Sequence, residues 1–418
     1  NWTRPLRRGR PPSEPLRRSL NAFKISGFWM RHHVYLAPGM FGFGRLASYD
    51  YFVHLRRAIE SRFAAAGIDV AVHTVEVPPT ASIRRRSARL VDLVSRTAGT
   101  DGSPVHLLGH STGGLDARLV ASPTVHLPIS RGALDWLPRL ATVTTLSTPH
   151  YGTPLASFFA TVSGQRMLHA LSALTFIALS VGRPPLAAVS ALVGLVGQLD
   201  GALGIELGVL DRSTNAILSV LEPARSDEVR AYLEAIKEDQ GAVIQLSPEA
   251  MDLFQAGIED RPGVRYQSTA AMAPVPSVGG IAKQLLHPWQ LVSSTLFATL
   301  WKLTAAYDER YPCAAPFAGE VAEAMLARTF GRSPGARAND GVVPLRSQIW
   351  GELIWCGYGD HLDVLGHFPD SREMIHRSAE LGDPSLVHRD WMRSGSAFDR
   401  ARFDELCDAV VRGMLAAV

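Results

Sequence analysis

Short apolar runs punctuated by glycine, proline and charge recur along the chain. Six have the length of buried strands, at residues 34–37, 70–77, 105–108, 141–147, 264–271 and 348–355. Between the early ones, Phe52, Leu55, Ile59 and Phe63 fall on one side of a helix, as do Ile83, Leu90, Val91 and Val94. Strands that alternate with helices can be covered on both faces, so the pattern predicts an α/β fold built on a mainly parallel, doubly wound sheet. Ser247-Pro248-Glu249 opens a helix with a capping serine and a proline in the first turn, and Asp260-Arg261-Pro262-Gly263 returns the chain to the fifth strand. Residues 398–418 read as a terminal helix with Phe403, Leu406, Val410 and Leu415 on its apolar side.

Two long segments interrupt this alternation and set the expected organisation. Residues 1–33 form a basic arm, 34–160 the first part of the core, 247–280 a return to it, and 339–418 its last part. Residues 161–246 are an insertion dominated by two apolar stretches, 167–181 and 186–199, separated by Gly182-Arg183-Pro184-Pro185. Each is shorter than the roughly 18 residues of a membrane span. They fit helices of a cap or lid that hides apolar surface in water and exposes it at lipid, or a purely structural hairpin. A second helical insertion, 281–338, completes the cap.

Composition adds limits. With 418 residues and 46% hydrophobic content, the chain can bury a core and still carry insertions. A net charge of +3 argues against a nucleic-acid partner. The arm holds eight Lys or Arg against one Glu but no continuous apolar stretch, so no export signal is visible and the expectation leans towards a cytoplasmic protein. Cys313, Cys356 and Cys407 are odd in number and lack metal-ligand spacing. Oligomeric state leaves no trace in the sequence.

The chemistry concentrates in a few loops. Gly109-His110-Ser111-Thr112-Gly113 joins an apolar strand to a helix, the setting in which a serine hydroxyl is held clear of a sheet edge on a strained turn. Gly331-Arg332-Ser333-Pro334-Gly335 has the same spacing, but no strand leads into it and Pro334 has no NH to offer an oxyanion, so Ser333 reads as loop. A serine nucleophile needs an acid and a base, which in this architecture follow it in that order. Asp340, in the turn Asn339-Asp340-Gly341, is the candidate acid, against the plain reading of an Asp-Gly turn. His361 lies on the loop beyond the last predicted strand and is the candidate base among 14 histidines. His110, inside the elbow, is read as orienting neighbouring loops. A glycine-rich loop, Pro38-Gly39-Met40-Phe41-Gly42, follows the first strand and can bring the NH of Met40, or failing that Phe41, beside that of Thr112 to hold a developing oxyanion.

Taken together, the segments around Gly39, Gly109 to Gly114, Ser147-Thr148-Pro149-His150-Tyr151-Gly152-Thr153-Pro154, Asn339-Asp340-Gly341 and His361-Leu362-Asp363 resemble the bacterial triacylglycerol lipases of the α/β-hydrolase superfamily. The resemblance implies a triad of Ser111, Asp340 and His361 with Met40 and Thr112 as oxyanion donors. It further implies a carboxylic-ester hydrolase working through an acyl-serine, with a hydrophobic ester met in solution or at a lipid interface. Neither a redox cofactor nor a catalytic metal is required. An acyltransferase or polyester depolymerase with the same triad, and a silent binding protein, are the alternatives. Two positions depart from the family. Pro38 replaces the usual histidine, and at the family's structural calcium, held partly through the aspartate that matches Asp363, His367 stands where an oxygen ligand is expected; Asp308 and Glu320 are the candidates for a second carboxylate.

Overall fold

The computed structural model describes residues 30–40, 45, 46, 49–130, 132–161, parts of 164–172 and 227–240, then 241–277, 288–306, 318–368 and 392–418. The predicted arm up to residue 29, the apolar stretches of the first insertion beyond residue 172, Phe41, Asp308 and Cys313 lie outside them.

Six strands form one sheet: β1 (His32–Ala37), β2 (Val70–Thr74), β3 (Val105–His110), β4 (Leu140–Leu146), β5 (Arg265–Met272) and β6 (Glu352–Tyr358). Their order is β2-β1-β3-β4-β5-β6, and every pairing is parallel. Parallel neighbours need crossovers, and helices supply them. These are α1 (Val53–Ala65), α2 (Ile83–Thr97), α3 (Thr112–Ala121), α4 (Pro154–Phe159), α5 (Gly241–Gln245), α6 (Pro248–Gly257), α7 (Pro288–Thr304), α8 (Glu320–Phe330) and α9 (Arg400–Leu415). Alternation along the strands divides the core. Val34, Leu36 and Leu108 pack with Leu55, Ile59 and Phe63 of α1 and Phe403, Leu406 and Val410 of α9. Tyr35, Leu107 and Val143 point the other way, onto Leu90, Val91 and Val94 of α2 and Ala117 and Val120 of α3.

Helix starts follow their capping chemistry. The hydroxyls of Ser82 and Ser247 accept from the backbone NH of Arg85 and Ala250, and the carboxylate of Asp399 accepts from Arg402 NH. The Ser247-Pro248 start was legible in the sequence. Several boundaries differ from expectation, β2 ending at Thr74 rather than residue 77 and β3 at His110 rather than residue 108, and two of the differences have a visible cause. β1 begins at His32, inside the predicted arm, because the polar letters His32 and His33 are buried there by hydrogen bonds to His106 and His73. The last strand begins at Glu352 rather than residue 348, after a 3-10 turn at Leu345–Gln348. Among the described residues no helix is long and apolar enough to cross a membrane.

Candidate active site

Ser111 sits between β3 and α3 with φ 53° and ψ −128°, a left-handed conformation that a non-glycine residue adopts only under constraint. The constraint is visible on both sides. Its NH donates to Leu146 O at 2.9 Å, fastening the turn to the end of β4. A Cβ on Gly109 would overlap the Gly113–Gly114 backbone, and one on Gly113 would overlap Ala37 O, so strand and helix can cross only where side chains are absent.

Asp340 and His361 lie on the loops that follow α8 and β6, and the first of these meets the end of β5 through Ala273 NH donating to Asn339 O at 2.9 Å. Asp340 is fully buried; its Oδ1 accepts from the NH groups of Val342 and Val343 at 2.9 and 2.7 Å, and its Oδ2 lies 2.8 Å from His361 Nδ1. Because that carboxylate accepts, Nδ1 must donate, which leaves Nε2 of His361 as the basic nitrogen. The backbone repeats the link: His361 NH donates to Asp340 O at 3.1 Å. Ser111 and His361 line the same cleft, of about 440 Å³ including its open mouth, together with Gly39, Met40 and Tyr51 and an apolar set from Leu155, Phe159, Leu171, Leu300, Val342 and Met392.

His110 is buried, with Nε2 2.8 Å from the carbonyl of His361 and Nδ1 2.9 Å from the hydroxyl of Tyr51. A carbonyl only accepts, so Nε2 carries the proton and Nδ1 takes the Tyr51 O–H. Burial holds the ring well below the ordinary histidine pKa, with the neighbouring His361 a smaller cause in the same direction. The expectation that His110 orients a neighbouring loop is met at the base itself.

The loop after β1 lies against the serine. A Cβ on Gly39 would stand 2.8 Å from Ser111 Cβ and 3.3 Å from Ser111 Oγ, so only glycine lets this backbone approach so closely. Thr112 opens α3, where an NH has no partner within the helix. The fixing of the loop involves residues that sequence reading missed. Arg86, fully buried in α2, donates to the carbonyls of Pro38 and Pro79 and makes a pair with Asp116 of α3, its Nε 2.9 Å from Asp116 Oδ2. Burial pushes the Asp116 carboxyl up to about 6, against the pull of Arg86. Within the Arg84-Arg85-Arg86 run, Arg86 falls with Ile83, Ser87 and Leu90 on the buried stripe of the helix, and that spacing was the available signal.

On the loop of His361, Asp363 is buried and bonded to the chain through one carboxylate oxygen. Its Oδ2 accepts from Asp360 NH at 2.8 Å and from the Ser396 hydroxyl at 2.7 Å, and His367 Nε2 lies 3.2 Å from Tyr51 O. Glu320, at the start of α8, is exposed. Among the described residues no group of three His, Cys, Asp or Glu side chains is placed to hold an ion, and Asp308 lies outside them. Ser333 is exposed and bonded to Glu323 and Arg346. His150 is buried between Thr145 and Arg118, and the segment it belongs to is tied to the acid turn by Thr153 Oγ1 donating to Val342 O at 2.6 Å.

A serine, an acid and a histidine thus stand at the C-terminal ends of β3, β5 and β6 of a parallel sheet. This is the α/β-hydrolase fold. In sequence the chain is similar to a triacylglycerol lipase of Vibrio cholerae, 32% identical over 140 residues that make up 33% of this chain and 39% of that protein. It is also similar to a triacylglycerol lipase of Pseudomonas fragi, 28% identical over 127 residues, 30% of this chain and 37% of that one. The chain therefore spans less than two fifths of the length of the curated relatives it matches. Among solved structures, the Staphylococcus hyicus lipase aligns with a TM-score of 0.46 at 14% identity, covering 94% of this chain and 96% of that one. No family model matches the chain. Over the matched third of the chain the similarity is to bacterial lipases.

Proposed function

We propose that the protein is a carboxylic-ester hydrolase acting on hydrophobic acyl esters, with Ser111 as nucleophile, His361 as general base and acid, and Asp340 as the group that fixes its tautomer. His361 Nε2 takes the Ser111 proton as Oγ bonds to the ester carbonyl carbon; the negative charge that develops on the carbonyl oxygen faces the NH groups of Met40 and Thr112. Collapse breaks the bond to the alcohol, which leaves with the proton from His361, and an acyl-serine remains. Water, deprotonated by the same nitrogen, attacks that ester and releases the acid and the free hydroxyl. The observation that carries this reading is the strained Ser111 turn in one cleft with His361, whose Nδ1 is held by a buried carboxylate. The apolar lining of the cleft favours an alkyl chain over a polar acyl group.

The test is turnover of p-nitrophenyl esters and labelling by a fluorophosphonate. Ser111→Ala is expected to remove both while the circular dichroism and melting of the protein stay unchanged. Labelling retained at another serine, or hydrolysis undiminished in the variant, would overturn the assignment.

A further inference from the structure

The second insertion was expected to complete a cap, and its helix α7 is fastened to the residues on either side of Asp340. Thr304 Oγ1 donates to Gly341 O at 2.9 Å, and Asn339 Nδ2 donates to Trp301 O at 3.3 Å. The ring of Phe297 occupies the space that a Cβ on Gly341 would need, where the backbone has φ +96°. Leu300, Trp301 and Thr304 stand three, four and seven residues after Phe297, so the four share one stripe of the helix. Three of them grip the acid turn, and Leu300, buried, faces the cleft beside Ser111 and His361.

A moving cover must separate from the machinery it covers. This helix cannot leave without breaking two hydrogen bonds and an aromatic contact at the turn that holds Asp340. We propose that α7 is a fixed wall of the cleft and that Leu300 is a specificity-determining residue, its side chain limiting the length of alkyl chain that fits beside Ser111. The identity of that chain as the acyl part of an ester rests on the function proposed above; the wall and its size limit do not.

Two arms keep these apart. In the first, full-length protein with Leu300→Ala, Leu300→Val or Leu300→Phe is assayed on p-nitrophenyl esters from acetyl to palmitoyl. The smaller residues should move the optimum to longer chains and phenylalanine to shorter ones, with the long-to-short ratio of kcat/KM changing by about tenfold or more for the alanine variant. In the second arm the same substitutions are placed on Ser111→Ala, and binding of fatty acids from butyrate to palmitate is measured by calorimetry, which needs no turnover. A shifted binding preference without esterase activity in the unmodified protein would retain the wall and discard the hydrolase. An unshifted preference in the folded valine variant, or no fatty-acid binding at all, would discard the wall. Backbone hydrogen exchange gives a third readout: α7 and residues 339–343 should keep equal protection when lipid vesicles are added, and loss confined to α7 would refute its fixed attachment.

Discussion

Asp340 offers the sharpest test that a single side chain allows. Its Oδ1 is held by two backbone NH groups, so in Asp340→Asn the amide oxygen must stay there and the NH2 must turn towards His361. Nδ1 then has to accept, the proton moves to Nε2, and the base disappears with its geometry intact. A loss in kcat on the order of 10⁴ is expected, with KM little changed, and an active Asn variant would show that another group sets the tautomer. His110→Asn asks a milder question, because the hydrogen bonds of His110 go to the main chain of His361 and to the Tyr51 hydroxyl, and its ring meets that of His361 only in a tilted contact with centroids 4.6 Å apart. As a positioning residue it should lower kcat by about ten- to a hundredfold without moving the acid limb of the rate profile by more than about half a pH unit, since the base itself is unaltered. A large change in that limb would instead make His110 part of the titrating machinery. Both roles begin from residues whose letters were readable. The tautomers were not, because they depend on which backbone groups surround each ring.

Elements were legible where apolar runs stand between glycines and opaque where polar side chains take over backbone duties. Gln348 shows why. Its amide accepts from Ala271 NH at 2.8 Å and donates to Ala271 O at 2.9 Å, so a side chain pairs with β5 as a strand residue would while its own backbone is in a 3-10 turn. Apolar letters nearby then suggest a strand that starts four residues too early. Arg86 is the same lesson inside a helix: a buried guanidinium joins α2, α3 and the loop after β1, and in a run of arginines only its place on the stripe of Ile83, Ser87 and Leu90 marks it as dry. Its energetics are testable. Removing the cation leaves Asp116 charged, buried and uncompensated, so Arg86→Met should destabilise the protein by about 3–5 kcal/mol in urea unfolding. Arg86→Met combined with Asp116→Leu should regain most of that loss, because the isolated charge and not the missing pair carries the cost. An additive double variant would mean that Pro38 and Pro79, rather than Asp116, are what Arg86 mainly holds.

Across the fold, histidines are buried without carboxylates to match most of them, and this sets the response to acid. His32 Nδ1 lies 2.9 Å from His106 Nε2, the rings stack, and His106 Nδ1 lies 2.9 Å from Thr142 Oγ1, forming a polar line over β1, β3 and β4 beneath Phe63. An N–H···N bond works only if one nitrogen is bare, so protonating both rings breaks it and sets two cations face to face. Burial lowers the His32 pKa from 6.5 to about 4 and holds His106, His110 and His150 well below their usual value. A histidine whose folded pKa is depressed stabilises the fold fully above pH 6.5, where both states are neutral, and loses that contribution as pH falls, because only the unfolded chain takes up the proton. Asp116 and Asp360 act in the opposite sense. Burial raises each to about 6, so the folded state binds their protons first and gains stability between about pH 6 and 4. Four histidines against two carboxylates favour loss: His32 alone is worth at most about 3 kcal/mol over that interval. Calorimetry should therefore show Tm falling between pH 7 and pH 5, and His32→Leu with His106→Leu, which removes both partners of the N–H···N bond, should reduce that fall while leaving the proposed turnover of esters at pH 7 in place. A slope unchanged by the double variant would move the acid sensitivity to His110 and His150, whose rings lie against the base loop and Arg118, and activity would then fail together with the fold.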